Sequence, residues 1–178
     1  MKLFWIAFGV IVVLVLSVTW VMTGQQGSSP KAERLACQQE VTTFDRWRVE
    51  RAERQSAQSK LLAGNFTLEG SQSYSEHMPS RLKGVFDDQK IEAMLIEAIG
   101  ISPIEGAEAL EIRWRLFEDD KADPNKLNPA KAHFAGYLRV SFVDEGQEIY
   151  RIQIDYLEYD GADLPRRAAC VIDSFLQD

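Results

Sequence analysis

The fold is decided by the stretch Leu110-Glu111-Ile112-Arg113-Trp114-Arg115-Leu116. Apolar and charged side chains alternate along it with a period of two, which is the pattern of a β-strand with one face buried and the other in water. The buried face of such a strand needs an apolar layer packed against it. The stretch therefore predicts a sheet that is covered on one side.

Two further alternating segments follow toward the C-terminus. They span Tyr137 to Val143 and Ile149 to Tyr159, and each places its large apolar residues on one face. The link Asp144-Glu145-Gly146-Gln147 between them is short and contains glycine. We expect the two segments to pair as an antiparallel hairpin.

A covering helix is predicted just before the central strand. Asp87 or Asp88 can cap its first turn, and Gly100 stands where a glycine commonly ends a helix. Apolar residues recur between them at helical spacing, at Ile91, Met94, Leu95, Ala98 and Ile99. The predicted fold class is α+β, with the helix from Asp88 to Ile99 lying on an antiparallel sheet.

The segments on either side of this unit are also predicted to be mainly helical. A helix is predicted to begin at Ser29, which can cap it, and Pro30, which suits its first turn. Its apolar stripe consists of Cys37, Val41, Phe44 and Trp47. The helix then continues as a charged segment from Arg48 to Lys60, which is expected to be a solvated face or a rod that contacts a partner. A short strand is predicted at Phe66-Thr67-Leu68, and a loop at 70–81. The last segment, which contains Ala168, Val171, Ile172, Phe175 and Leu176, is interpreted as a helix, with a strand as the alternative.

The N-terminus carries an apolar run of membrane-spanning length. From Leu3 to Met22 only Gly9, Ser17 and Thr19 are not plainly apolar, and about 20 helical residues cross a hydrocarbon core of about 30 Å. A cleaved signal peptide is the alternative, but its apolar region is shorter and ends in small residues. We therefore predict an uncleaved anchor in residues 1–23, a polar linker in residues 24–29 and one domain in residues 30–178.

The charges around this run predict its orientation. The α-amino group and Lys2 precede it, and the next basic residue is Lys31. Because positive charge favours the cytoplasmic side, we expect a single-pass protein of the inner membrane whose domain is extracytoplasmic, in a periplasm-like compartment. This organisation resembles small bitopic envelope proteins of bacterial secretion, pilus and regulator-stabilising systems in architecture alone, without a motif specific to any of them.

The chain has two cysteines, Cys37 and Cys170, near opposite ends of the predicted domain. An even number of cysteines in an oxidising compartment favours a disulfide, which would join the first helix to the last element. Two buried thiols are the alternative. Besides the two cysteines only His77 and His133 could supply the nitrogen ligands of a zinc site, and neither CxxC nor HxxxH spacing is present. The sequence therefore predicts no zinc site.

The net charge of the chain indicates which kinds of partner it can bind. The 178 residues include 20 Lys and Arg against 27 Asp and Glu, a formal net charge of −7. Binding to a phosphate backbone depends on clustered basic residues, so nucleic acid is not an expected partner.

Candidates for chemistry are few. The acidic residues gather in loops and at outward strand positions, which is typical of a wet sheet face, and 119–125 has a proline where a calcium loop needs glycine. His77 lies near Ser75 and Ser80, but no nucleophile-elbow motif surrounds either serine. Phe44, Trp47 and Trp114 suit a core better than a ligand pocket.

These patterns predict function only coarsely. We expect no catalytic, cofactor or metal site, and a non-enzymatic, membrane-anchored protein that associates with another envelope protein. The alternative is a membrane-anchored sensory or small-ligand-binding domain.

Overall fold

The computed structural model describes residues 34–104, 106, 108–126 and 134–177. Their helices are α1 (Ala36–Gln39), α2 (Arg51–Leu62), α3 (Asp88–Ile99) and α4 (Leu164–Leu176). Their strands are β1 (Thr43–Trp47), β2 (Phe66–Ser73), β3 (Leu110–Glu118), β4 (Gly136–Asp144) and β5 (Gln147–Tyr156). The predicted α+β class is confirmed.

The predicted anchor from Leu3 to Met22, the linker at 24–29 and the helix start at Ser29 and Pro30 lie outside the described residues. Within the described ranges, no helix has both the length and the apolarity that a membrane span requires.

The five strands form one sheet in the order β1-β5-β4-β3-β2. The hairpin prediction is confirmed, because β4 and β5 are antiparallel neighbours. The predicted antiparallel arrangement holds for β3, β4 and β5, but the sheet is mixed, since β2 runs parallel to β3. The physical reason is the connection: α3 lies between these two strands in the chain, and such a crossover returns the chain in the same direction.

The core lies between one face of the sheet and the helices. Leu110, Ile112, Leu116 and Ile152 are at most 1% exposed, as the alternation in the sequence predicts. Ile91 and Leu95 of α3 and Val171 and Phe175 of α4 complete the same apolar cluster. We call this side of the sheet the covered face.

The predicted ends of α3 are confirmed. The side chain of Asp87 accepts a hydrogen bond from the N–H of Lys90, and so caps the first turn. Gly100 adopts a left-handed conformation with φ of 76° at the other end, where glycine carries no steric penalty.

The apolar stripe before residue 48 was interpreted wrongly. Thr43–Trp47 is a strand on β5, with Thr43 opposite Ile154 and Trp47 opposite Tyr150. A spacing of three places Phe44 and Trp47 on one side of a helix, but on opposite faces of a strand. The predicted charged helix is present but displaced along the chain: it spans Arg51–Leu62 instead of Arg48 to Lys60, and it buries Ala57, Gln58 and Leu61.

The ends of two other predicted strands differ in the structure. The strand expected at Phe66-Thr67-Leu68 extends to Ser73, so the loop begins later than residue 70. The strand expected to reach Tyr159 ends at Tyr156. The C-terminal segment is a helix of 13 residues, as preferred over a strand.

The predicted disulfide between Cys37 and Cys170 is confirmed, with a Cα–Cα distance of 5.9 Å. It links α1 to α4, as expected. Beside it, Glu40 forms ion pairs with Arg166 and with the buried Arg167, whose Nε also lies 3.0 Å from Asp163 Oδ2. Covalent and ionic contacts therefore join the same two elements.

Candidate functional site

The second face of the sheet is the main candidate for function, and we call it the open face. Helices α2, α3 and α4 contribute their apolar residues to the core on the covered face. The side chains that alternate with those core residues point the other way. They form three rows across the strands: Arg46, Arg151, Ser141, Arg113 and Glu69; then Phe44, Gln153, Arg139, Arg115 and Ser71; then Asp155, Tyr137, Phe117 and Ser73.

An apolar groove lies at one end of the open face. Its volume is about 880 Å³. The rings of Phe117 and Tyr137 stack with centroids 4.8 Å apart, and Phe44 and Leu157 are 62% and 42% exposed. Phe134 also lines the groove. Aromatic rings at a solvent-facing cleft are suited to hold an apolar side chain or a flat ligand.

Two polar side chains, Gln153 and Asp155, line the same groove. Burial raises the pKa of the Asp155 carboxyl; a hydrogen bond with Thr42 opposes that change, and the negative charge of Asp119 adds to it. The groove thus combines an aromatic wall with a hydrogen-bonding amide and a carboxyl whose pKa is raised.

Five arginines occupy the first two rows of the open face. Arg46 stands directly opposite Arg151, and Arg139 directly opposite Arg115. Like charges placed opposite each other on neighbouring strands are destabilising. The open face is therefore locally positive, although the chain as a whole has a net charge of −7.

Carboxylates of the same chain neutralise only part of this cluster. Arg113 pairs with Glu111, and Arg151 with Glu148. Arg139 instead donates to the neutral Gln153 Oε1, at 2.9 Å from Nη2, and lies over the Tyr137 ring. Arg115 Nη2 donates to Ser73 Oγ at 3.1 Å. Among the described residues, Arg46, Arg115 and Arg139 have no carboxylate partner.

His77 lies beside a carboxylate that sequence analysis did not assign to it. Asp120 Oδ2 accepts hydrogen bonds from the N–H of Glu76 and the N–H of His77, and lies 2.9 Å from His77 Nδ1. The bond to Asp120 raises the pKa of His77. Burial works to raise the pKa of Asp120, but the hydrogen bonds outweigh it and hold the pKa at about 2.

Ser75, the neighbouring serine, forms its hydrogen bonds with groups other than His77. Ser75 Oγ contacts Met78 O at 3.0 Å and Glu118 Oε2 at 3.4 Å. Glu118 also accepts the backbone N–H groups of Ser75 and Arg81. Glu118 and Asp120 therefore fasten the loop after β2 to the end of β3, and this accounts for their burial.

The other sequence candidates are dispersed. The ring of Trp47 packs against Tyr150 and Phe175, and Trp114 is 3% exposed within the core. Phe44 lies on the opposite face, so these three aromatics do not enclose a common pocket. Asp119 is paired with Lys126. His133 lies outside the described residues, and within those residues no group of three or more His, Cys, Asp or Glu is arranged to hold a metal ion.

Sequence reasoning missed the open face as a site. Phe117 and Tyr137 were the available signal, because each is an aromatic residue at an outward position of an alternating strand. Their contact, however, depends on the β3–β4 register, which places Phe117 opposite Tyr137.

Comparisons with known proteins add little. No protein-family model matches the chain. No curated protein is significantly similar to it in sequence. Among solved structures, a PelC dodecamer from Paraburkholderia phytofirmans is 11% identical, with a TM-score of 0.37, over 76% of this chain and 96% of the PelC chain. A likeness at that TM-score carries no argument about function.

Proposed function

We propose that this chain is a non-enzymatic, membrane-anchored interaction protein whose extracytoplasmic domain binds another envelope protein through the open face. One observation carries the proposal: in the described part of the chain the helices cover a single face of a five-stranded sheet, and the other face presents an aromatic groove beside three arginines without a carboxylate partner among those residues. Exposed apolar surface rimmed by polar groups is typical of interaction sites.

The proposed anchor at Leu3 to Met22 supports association in a second way. A domain tethered to a bilayer is confined to a thin layer, which raises its effective concentration toward partners in the same membrane. A C-terminal reporter that is active only outside the cytoplasm tests the orientation. Activity is expected; an inactive but intact fusion would contradict the extracytoplasmic placement, and a mature chain beginning near Gln25 would contradict the anchor.

Site-specific crosslinking in intact cells tests the interaction. A photo-crosslinking amino acid is placed at Glu69 or Ser71 on the open face, at Gln55 on α2, and at Glu97 on α3 as a control; all four are exposed. We expect mass spectrometry to identify the same membrane-associated protein from Glu69 and Ser71 and not from Glu97. Capture from Gln55 alone would place the partner on the charged helix instead.

A sensory or small-ligand-binding domain is the second candidate, favoured by the groove with Gln153 and Asp155. Native mass spectrometry of the purified chain separates the two. A retained small molecule that is lost on replacing Phe117 by Ala, together with no crosslinked protein from any position, would establish ligand binding in place of association.

A further inference from the structure

We propose that the open face recognises an acidic segment of the partner protein, in which an apolar side chain enters the aromatic groove and flanking carboxylates pair with Arg46, Arg115 and Arg139. This inference rests on the proposed function, since it states the chemistry of the partner that binds there.

The arrangement of the arginines is the first argument. Two opposed pairs, Arg46 with Arg151 and Arg139 with Arg115, bring like charges together on neighbouring strands. A guanidinium group binds a carboxylate through two parallel hydrogen bonds, which is a geometry that a neutral acceptor such as Ser73 Oγ or Gln153 Oε1 does not provide. An incoming carboxylate would therefore relieve repulsion and replace weaker hydrogen bonds.

The position of the groove is the second argument. Phe44 and Arg46 alternate along β1, and Arg115 and Phe117 alternate along β3, so that aromatic and basic side chains adjoin on the same face. Lys126 and Arg139 lie over the rings of Phe117 and Tyr137. A binding segment is thus expected to combine one aromatic or aliphatic side chain with nearby Asp or Glu.

The net charge decides between a peptide and an extended polyanion. The chain carries a formal net charge of −7, so the positive charge of the two arginine rows is local. A bilayer of anionic lipid or a nucleic acid presents phosphates far beyond the two arginine rows. There the net negative charge of the chain repels them. A short acidic segment reaches only the local positive surface, within a Debye length of about 8 Å at physiological salt. The observations favour the segment.

Fluorescence anisotropy with the full chain in nonionic detergent tests this chemistry. The probe is a short labelled peptide with Phe flanked by Glu on both sides in a Gly-Ser background. We expect binding that weakens as salt is raised, weakens when the Glu residues are replaced by Lys, and weakens when Phe is replaced by Ser. Equal binding of the Glu and Lys peptides would overturn the proposal.

Matched variants locate the binding. The double variant Arg46→Ala with Arg115→Ala should raise the Kd about tenfold. The control, Lys83→Ala with Lys90→Ala, removes the same charge from exposed residues near the start of α3 and should leave the Kd unchanged. Because the first variant removes like-charge contacts, its thermal midpoint should not fall below that of the parent chain, which separates lost binding from lost folding. Equal effects of the two double variants would overturn the proposal.

The remaining outcomes distinguish this inference from the proposed function. Tighter binding of oligothymidine or of phosphatidylglycerol vesicles than of the acidic peptide, sensitive to the same arginines, would replace the segment by a polyanion. A protein crosslinked at Glu69 and Ser71, combined with no binding of the acidic peptide, would refute the acidic chemistry and leave the interaction function standing. Absence of any crosslinked protein would refute the function itself.

Discussion

Asp120 shows at the scale of one residue how a buried carboxylate holds a loop in place. Its Oδ2 accepts two backbone N–H groups and faces the His77 ring, while Oδ1 lies 3.3 Å from the N–H of Ala122. Since these bonds all favour the ionised form, the pKa lies at about 2, below the ordinary 3.8.

This shift gives a signed dependence on pH. A carboxylate whose pKa is lowered by folding contributes stability above its unfolded pKa, and that contribution is lost as the pH falls through about 2. We expect Asp120→Ala to lower the free energy of unfolding at pH 5, with a difference from the parent that shrinks toward pH 2. Urea titrations across this range measure it. Glu76→Ala, an exposed carboxylate in the same loop, is the control; an unchanged difference at all pH values would contradict the prediction.

Gly70 marks a close approach between β2 and β3. A Cβ at this position would lie 2.2 Å from Trp114 Cδ2 and 2.3 Å from Trp114 O, so the ring or the strand must move. We expect Gly70→Ala to cost about 1–3 kcal/mol, the usual penalty for overpacking. Chemical denaturation checks this against Ser71→Ala on the exposed side of the same strand. Equal stability of the two variants would mean that Trp114 repacks freely.

At the scale of the element, β3 separates two environments by residue parity. Ile112 is fully buried, and Arg113 is exposed on the open face. We expect Ile112→Ala to cost about 2–5 kcal/mol through lost burial and a cavity. Arg113→Ala should change stability by no more than about 0.5 kcal/mol. The same contrast is expected for Ile152→Ala and Gln153→Ala on β5, and chemical denaturation of the four variants measures it. Larger losses of stability for Arg113→Ala and Gln153→Ala than for the two Ile variants would mean that the buried and exposed faces had been assigned the wrong way round.

Strand β1 shows how an element can carry the wrong local signal. Its residues at Phe44 and Trp47 fit a helical spacing, yet the segment pairs with β5 through Thr43 and Ile154. Helical spacing reports contacts within a few residues, whereas this pairing joins positions more than 100 residues apart in the chain. Tertiary contact therefore outweighed local preference.

At the scale of the whole molecule, one disulfide closes nearly the entire described chain. Cys37 and Cys170 are separated by 133 residues, and the unfolded chain loses much freedom when a loop of that size is closed. Replacing both cysteines by Ala should lower the free energy of unfolding by about 2–5 kcal/mol. Denaturation with and without reductant measures it. The double variant should not respond to reductant, and the parent should; equal responses would contradict the prediction.

The sequence by itself determined the elements whose pattern is local. The alternation in Leu110 to Leu116, the helical spacing with Gly100 at its end, and the short link between β4 and β5 predicted a strand, a helix and a hairpin that the structure confirms. The even cysteine count predicted the disulfide. Each of the first three signals lies in residues that are close together in the chain. The disulfide could be predicted because the chain has only two cysteines, which leaves a single possible pairing.

Only the tertiary structure decided how strands distant in the chain lie side by side. The strand character of Thr43–Trp47, the parallel pairing of β2 with β3, and the arginine rows beside the aromatic groove all depend on that register. A sequence period states which residues share a face of one strand, but it does not state which strand lies next to it. The candidate site is built across all five strands, β1, β5, β4, β3 and β2, and so could be recognised only once those strands were in place.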